Sequence, residues 1–462
     1  MLFHLRAGAA AALILAPFVA ASAARAESLS DALASAYSSN ATLNAARAQL
    51  RSIDESVPQA LAGYRPTISA EADASAETFR SLSNGFLGPS LSNGNVFPRG
   101  VGLTITQPVF LGFRTTNSVK EAKNSVAAAR AQLVGMEQDT LLQAVTAFMN
   151  VVEAQVVLNL RVQNIDFLKA QVSAANDRMR VGEGTKTDVA EANARLSAGM
   201  SDYNAATAAV NSAIAVYEQV IGHKPNSLGA VPSVDPMIPP SLQAAIDAAQ
   251  REHPSIIAGI FTIDVASYNV KVLEGQFLPS VTLQGSLSHR DDSSSSGTWS
   301  DSASILGQLS VPIYNGGLDS SQVRQAKEVL GQRRVELDAA RAAVRQAVIS
   351  AWGTLDATKA QVTAAQAEVA AEQLVLSGVM EQRKVGQSTT LDVLNAQQEL
   401  LGAQVAQVQA QHDRVVAAYT LLSALGRLTA EDLHLRVAIY DPSDHYNQVK
   451  DKWFGLRTPD GR

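Results

Sequence analysis

A fixed register of repetition constrains this chain more than any other feature. The stretch from Gly112 to Gly222 opens on Gln107-Pro108-Val109-Phe110-Leu111-Gly112 and turns around at Val181-Gly182-Glu183-Gly184-Thr185-Lys186-Thr187-Asp188-Val189. A second stretch opens on Ser310-Val311-Pro312-Ile313-Tyr314-Asn315-Gly316-Gly317 and turns at Val385-Gly386-Gln387-Ser388-Thr389-Thr390-Leu391-Asp392-Val393. Pro108 to Pro312, Gly182 to Gly386 and Gly222 to Gly426 are each 204 residues apart by subtraction of their numbers. A gapless register of this kind marks a duplicated unit, and internal repeats decide the fold first.

The body of each copy is helical. Phe113 to Arg180 and Leu318 to Lys384 contain no proline and are dominated by Ala, Gln, Val, Leu, Lys and Glu, which favour helix. Val323, Leu330, Leu337, Val344 and Ala351 recur every seven residues with Ala326, Ala340 and Ala347 between them, a coiled-coil seam. About 67 residues at 1.5 Å each make a rod of roughly 100 Å. Each rod turns at its Val-Gly tip into a shorter returning helix, Asp188 to Ile221 or Asp392 to Leu425.

Strands precede each rod. After a helical pattern over Glu27 to Ala62, Ile68, Ala70, Ala72, Ala74 and Ala76 alternate with Thr67, Ser69, Glu71, Asp73, Ser75 and Glu77, giving one apolar and one acidic, hydroxyl-rich face. Ser81 to Pro98 reads as an exposed loop, and Val101, Leu103 and Ile105 mark the returning strand. The second copy repeats this with Val281, Leu283 and Leu287, then Ala303, Ile305, Leu309 and Val311, around a Ser/Asp-rich loop. The chain is thus expected to divide into 1–26, 27–222, a Pro-rich linker 223–240, a second repeat 241–426 and a tail 427–462, where Tyr440-Asp441-Pro442 and Trp453-Phe454-Gly455 stand out without settling its course.

Met1 to Ala26 has Arg6, an apolar run and Ala24-Arg25-Ala26, the pattern of a secretory signal peptide. No later run of about 18 apolar residues is read in the sequence, so no transmembrane helix is expected. The chain has 0 Cys, which excludes a disulfide framework and a lipid-anchored N-terminus, and a net charge of -6 without a basic stripe argues against nucleic acid. No nucleophile elbow, phosphate loop or metal motif appears; neither enzyme activity nor a cofactor nor a metal is expected.

Strands of about 11 to 13 residues match an outer-membrane crossing, and Tyr64, Phe110, Phe277 and Tyr314 fall at the strand–helix borders where an aromatic girdle sits. Four strands cannot close a barrel, and an open edge in hydrocarbon leaves backbone groups unpaired. The chain must therefore oligomerise, and three copies would give twelve strands, an even number within the range for such barrels. The expected fold is an α+β membrane protein, a trimeric, twelve-stranded β-barrel in outer-membrane lipid continued by a long α-helical coiled-coil barrel, with two repeats per chain. Glu71, Asp73 and Glu77 are either ordinary solvated carboxylates or lumen groups that favour cations.

The chain resembles the TolC family of outer-membrane efflux and type I secretion channels. The resemblance rests on Gly63-Tyr64-Arg65-Pro66, Gln107-Pro108-Val109-Phe110, Val181-Gly182 with Thr187-Asp188-Val189, Val311 to Gly317, Val385-Gly386 with Leu391-Asp392-Val393-Leu394, and Ala424-Leu425-Gly426. It implies a homotrimer reaching from the outer membrane into the periplasm of a Gram-negative bacterium, joined by a periplasmic adaptor protein to an inner-membrane efflux pump or ABC transporter. It also implies a periplasmic gate. There Thr187 and Asp188 match the family's threonine-aspartate pair and Asp392 one ring aspartate, while Arg383, Ser388 and Asn395 replace its tyrosine, arginine and second aspartate. Arg383 with Asp188 is the expected substitute clasp. Val181, Gly182, Val385 and Gly386 match the tips that dock the adaptor, although the glycines also fit as plain helix C-caps and the aspartates as N-caps. A periplasmic coiled-coil scaffold without a pore is the competing reading, and it predicts a protein soluble without detergent. The cargo, small molecule or protein, is not legible.

Overall fold

The computed structural model describes residues 26–86, 88–229, 231–292 and 297–461. The expected signal peptide lies outside them except for Ala26. The N-terminal helical region is three helices, not one: α1 (Leu29–Ser39), α2 (Ala41–Asp54) and α3 (Ser56–Leu61). Asn40 makes the first break. Its side chain accepts from the backbone N–H of Thr42 and Leu43, so it caps α2 and stops α1 in one residue.

Strands β1 (Thr67–Ala74), β2 (Glu77–Gly85), β3 (Gly88–Val96) and β4 (Arg99–Leu111) follow, then the rod α4 (Arg114–Val181) and its return α5 (Lys186–Ile221). After the linker come α6 (Leu242–Glu252), α7 (Pro254–Glu274), β5 (Ser280–Asp291), β6 (Trp299–Ser310), the rod α8 (Leu318–Lys384), its return α9 (Thr390–Leu425) and a short α10 (Asp444–Val449) in the tail. Apart from the β2–β3 pair, which has no counterpart among the described residues of the second copy, the two copies share one helix–strand–strand–rod–return order. Among the described residues the main sheet has the order β1-β4-β5-β6, and every neighbouring pair is antiparallel.

Register gives this sheet its chemistry. Ile68 faces Ile105, Ala70 faces Leu103 and Ala72 faces Val101; Leu103 in turn faces Leu287, and Leu287 faces Ala303. Directly opposed residues project from the same face, so the apolar sets of all four strands coincide. Ile68, Val101, Leu103, Leu287 and Ile305 are nevertheless exposed in the single chain. The opposite face carries hydroxyls, with Ser286 hydrogen-bonded to Ser304 and Ser288 to Ser302, both at 2.8 Å. Strand β1, at 8 residues, is shorter than expected, while β4, β5 and β6 have 13, 12 and 12.

The expected loop over Ser81 to Pro98 is mostly a hairpin. β2 and β3 pair from Glu77↔Val96 to Gly85↔Gly88 and extend from the end of the main sheet farthest from the rods. A polar ribbon in water needs no apolar alternation, so its Ser, Asn and Gly content concealed it. Glu77 consequently begins β2 and leaves the β1 face that holds Glu71 and Asp73.

Where strand meets rod, two glycines touch. A Cβ on Gly112 (φ +61) would lie 2.3 Å from the Gly275 carbonyl oxygen, and one on Gly275 would lie 2.4 Å from the Gly112 oxygen. The two repeats therefore cross backbone to backbone at the base of the sheet.

The rods are seamed as expected, with a shift. Buried Val344, Val348, Ala351, Leu355, Thr358, Val362, Ala365 and Val369 on α8 step by alternating fours and threes, the spacing of a coiled-coil core. Leu330 and Ala340 are only half-buried. Val369 packs with Leu400 and Ala403 of α9. Windows within Arg114–Val181 and Leu242–Phe277 reach a mean hydropathy of 1.5 and are long and apolar enough to cross a membrane by composition, contrary to expectation. In the fold these helices pack alongside other rods, α4 against α5 and α7, and α7 against α8.

The main core lies at mid-height, where Leu29, Leu33, Leu141, Phe148, Tyr217, Ile246, Leu421 and Leu425 meet. Each such large apolar side chain contributes about 1.5–3 kcal/mol. Tyr217 also donates to Glu27 Oε1 at 2.7 Å, so its hydroxyl is satisfied inside the core. From this level the tail follows the rods toward the sheet, as a strap rather than a free end. Arg427 pairs with Glu252 at 2.8 Å, Ala430 N–H donates to Glu137 at 2.7 Å, and Tyr440 N–H donates to the Tyr37 hydroxyl at 3.0 Å.

Candidate functional site at the helical tips

The far ends of the two hairpins lie side by side. Rod α4 stops because Gly182 takes φ 79, and the N–H of Glu183 returns to the Arg178 carbonyl at 2.9 Å. Gly386 takes φ 76 at the other tip. Left-handed backbone suits glycine and little else. Val181 and Val385 beside them are 71% and 69% exposed, apolar side chains projecting from the turns.

Each returning helix starts with a reciprocal cap. Thr185 Oγ1 accepts the Asp188 N–H at 3.1 Å, and Asp188 Oδ2 accepts the Thr185 N–H at 2.9 Å. Thr389 and Asp392 repeat this at 3.1 and 2.7 Å. This is the capping box. The N–H and hydroxyl of Thr185 hold the Asp188 carboxyl below its usual value, with Arg178 and Arg383 adding to the effect. The N–H and hydroxyl of Thr389 do the same for Asp392. Both aspartates are therefore capping residues, and both stand ionised at the tips.

Arg383 does not form the expected clasp with Asp188. Its guanidinium donates to Gln171 Oε1 of α4 at 2.5 Å and to Thr390 Oγ1 of α9 at 3.2 Å. The reason is local: Asp188 is already engaged by its own cap, while Gln171 faces Arg383 across the groove between the rods. Burial, then the neighbouring Arg178, push the Arg383 guanidinium below its usual value, and Asp188 opposes the shift. Its Nε is buried without a partner among the described residues.

A second link joins the returning helices, where Arg195 donates to Asn395 Oδ1 at 2.9 Å. Thr187 is exposed on the first turn of α5, and Ser388 donates to Gln382 at 3.0 Å within its own turn. Between the tips lies an open cleft of about 600 Å³ lined by Gln171, Arg178, Glu183, Asp188, Arg383 and Thr390. Gln171, Arg195 and Thr390 were not singled out from sequence. Thr185 and Thr389 were readable there, since T-x-x-D before a helix is a capping-box spacing.

At the opposite end of the molecule, Glu71 and Asp73 share the hydroxyl-bearing face of the sheet. Asp73 lies 3.5 Å from Arg290, which offsets its charge; among the described residues Glu71 has no such ion pair. Glu77 sits apart on the projecting hairpin and accepts from Ser75 at 3.3 Å.

Known proteins share this architecture. The family described as outer membrane efflux protein matches residues 32–223 and 245–427, once per repeat. The outer membrane efflux protein BepC of Brucella suis is 44% identical over 460 residues, 98% of this chain and 97% of its own. The outer membrane protein TolC of Escherichia coli is 26% identical over 430 residues, covering 89% and 85%. The solved Campylobacter jejuni CmeC outer membrane channel superposes with a TM-score of 0.76 at 18% identity, over 92% of this chain and 89% of that one. Of these, the first two are outer membrane proteins and the third is an outer membrane channel. The chain belongs to the outer membrane efflux protein family.

Proposed function

We propose that three copies of the chain close a twelve-stranded barrel in the outer membrane and a helical tunnel below it, forming a passive export duct for small molecules, proteins or both. The observation that carries this reading is the sheet. Its apolar residues are register-matched on one exposed face, while the outer edges of β1 and β6 are unpaired among the described residues. In hydrocarbon such edges must find partners, and pairing β6 of one copy with β1 of the next in a closed ring satisfies every edge. The apolar face then meets lipid, and Glu71 and Asp73 line the lumen, with Glu77 beyond its outer rim.

At the tips, Thr187, Asp188, Arg383, Asp392 and Asn395 form the periplasmic gate. Threefold assembly gathers the ionised aspartates at its mouth. Val181, Gly182, Val385 and Gly386 receive a helical hairpin of a periplasmic adaptor, which couples the duct to an inner-membrane pump or ABC transporter; a duct without nucleotide-binding residues needs that external drive. The exposed apolar sheet counts against a pore-less scaffold.

The chain has 0 Cys, so Val385→Cys supplies a unique cross-linking handle. Detergent-extracted protein should have the mass of three chains, and the Val385→Cys form should cross-link in cells to an adaptor. A monomer that stays soluble without detergent would overturn the duct; trimers whose Val385→Cys form never cross-links to an adaptor would overturn the docking assignment.

A further inference from the structure

The tail ends in a feature that neither duct nor gate uses. Its path toward the sheet is fixed by successive contacts: His445 Nδ1 lies 3.0 Å from the fully buried carboxylate of Asp54, Arg130 sits 5.1 Å over the Tyr446 ring, and Arg65 sits 4.7 Å over the Trp453 ring. Arg65 also donates to the Lys452 carbonyl at 2.8 Å. Since β1 begins at Thr67, these bonds hold the tail at the level where sheet gives way to rods.

Here the chain closes a tight turn. Lys452 Nζ reaches the Arg457 carbonyl at 2.5 Å, and Gly455 takes φ +111, which glycine allows. Trp453, Phe454 and Leu456 are thereby 65%, 90% and 101% exposed, with the cations of Arg65, Lys452 and Arg457 around them. An aromatic and aliphatic tip bordered by cations is the composition of a membrane-interface anchor: the rings suit the headgroup level, and Lys and Arg reach the phosphates.

We propose that Trp453, Phe454 and Leu456 form a foot that inserts at the headgroup–acyl boundary of the periplasm-facing phospholipid leaflet, with Arg65, Lys452 and Arg457 set against lipid phosphates. The proposal rests on the outer-membrane duct reading, because that reading places the end of the sheet at this leaflet. The observations favouring lipid over protein are the cation border and the position of the turn beside Arg65, two residues before β1 begins. The foot fixes the height of the duct in the bilayer, which matters for a channel that must meet partners at its opposite end.

The test uses the full-length mature chain with Trp299→Phe and Trp352→Phe, leaving Trp453 as the sole tryptophan of the original 3. Trimer mass and bilayer conductance are checked first; their absence counts against the duct reading and not the foot alone. In phosphatidylethanolamine–phosphatidylglycerol vesicles, Trp453 emission should be blue-shifted and quenched more by lipids brominated near the headgroup than near the chain ends. Phe454→Asp with Leu456→Asp should shift the emission to the red and lose most of that quenching. Conducting trimers whose Trp453 escapes bromolipid quenching would overturn the foot: accessible to acrylamide, the turn lies in water; shielded from acrylamide too, it is covered by the neighbouring copy.

Discussion

Arg383 on one rod and Gln171 on the other are joined by a hydrogen bond of 2.5 Å across 212 residues of sequence. A charged donor makes such a bond stronger than a neutral pair, and a second bond to Thr390 anchors the same guanidinium to the returning helix. Arg383 thus holds the two hairpins of one chain together near their tips.

Arg383→Ala removes both bonds. Hydrogen bonds to charged groups contribute about 1.5–3 kcal/mol each. Discounted for the partial exposure of the site, the closed state should still lose on the order of 1.4 kcal/mol, a roughly tenfold rise in open probability. Single-channel recording checks this, and Arg383→Lys should fall between. An unchanged closed level would remove Arg383 from the gate.

The Arg195–Asn395 link is more exposed and should matter less. Asn395→Ala is expected to raise open probability by only a few-fold, in keeping with about 0.2–1 kcal/mol for an exposed polar pair. Arg195→Ala should do the same, and the double variant should add nothing further. Additive effects in that cycle would show that the two side chains act separately.

The capping boxes predict an acid response. Asp188 and Asp392 lie below their usual value of 3.8 in the folded chain. Their caps therefore contribute fully above that value and lose the contribution as pH falls through the lowered folded values. Amide exchange at the tips should show constant protection from neutral pH down to the usual value and weaken only below it. Thr185→Ala or Thr389→Ala, each costing about 1 kcal/mol of capping, should raise exchange at the affected tip at every pH. Loss of protection already near neutral pH would contradict the assignment.

Gly112 and Gly275 allow no side chain where the repeats cross. Gly112→Val adds both a forbidden φ and a clash with backbone, at a cost well above the about 1–3 kcal/mol typical of overpacking. The variant should fail to yield folded trimers after detergent extraction under conditions in which the wild type does. Normal yield with unchanged trimer stability would mean that the crossing is looser than described.

Much of this fold is legible in the residues because the relevant patterns are local. The duplicated rods follow from proline-free heptads and Gly tips, and the apolar sheet face follows from strict alternation at Ile68–Ala74 and Val101–Ile105. The β2–β3 hairpin was missed because a ribbon surrounded by water carries no such alternation. Asn40 was passed over inside a continuous helical pattern, although its residue type suits a cap. The Arg383–Gln171 bond was beyond reach for a different reason: nothing local relates two residues so far apart, and the carboxylate that acts on the Arg383 charge, Asp188, is taken by its own helix start. The tail's course depends likewise on partners scattered from Tyr37 to Glu252.

Conductance of purified trimers in a planar bilayer, wild type beside Asp392→Ser, tests the central claim most directly. An export duct with ionised aspartates at its tips predicts small, cation-selective steps that divalent cations block, with the block weakened by the substitution. Folded, detergent-extracted trimers that produce no channel steps would contradict the account of the chain as a conduit.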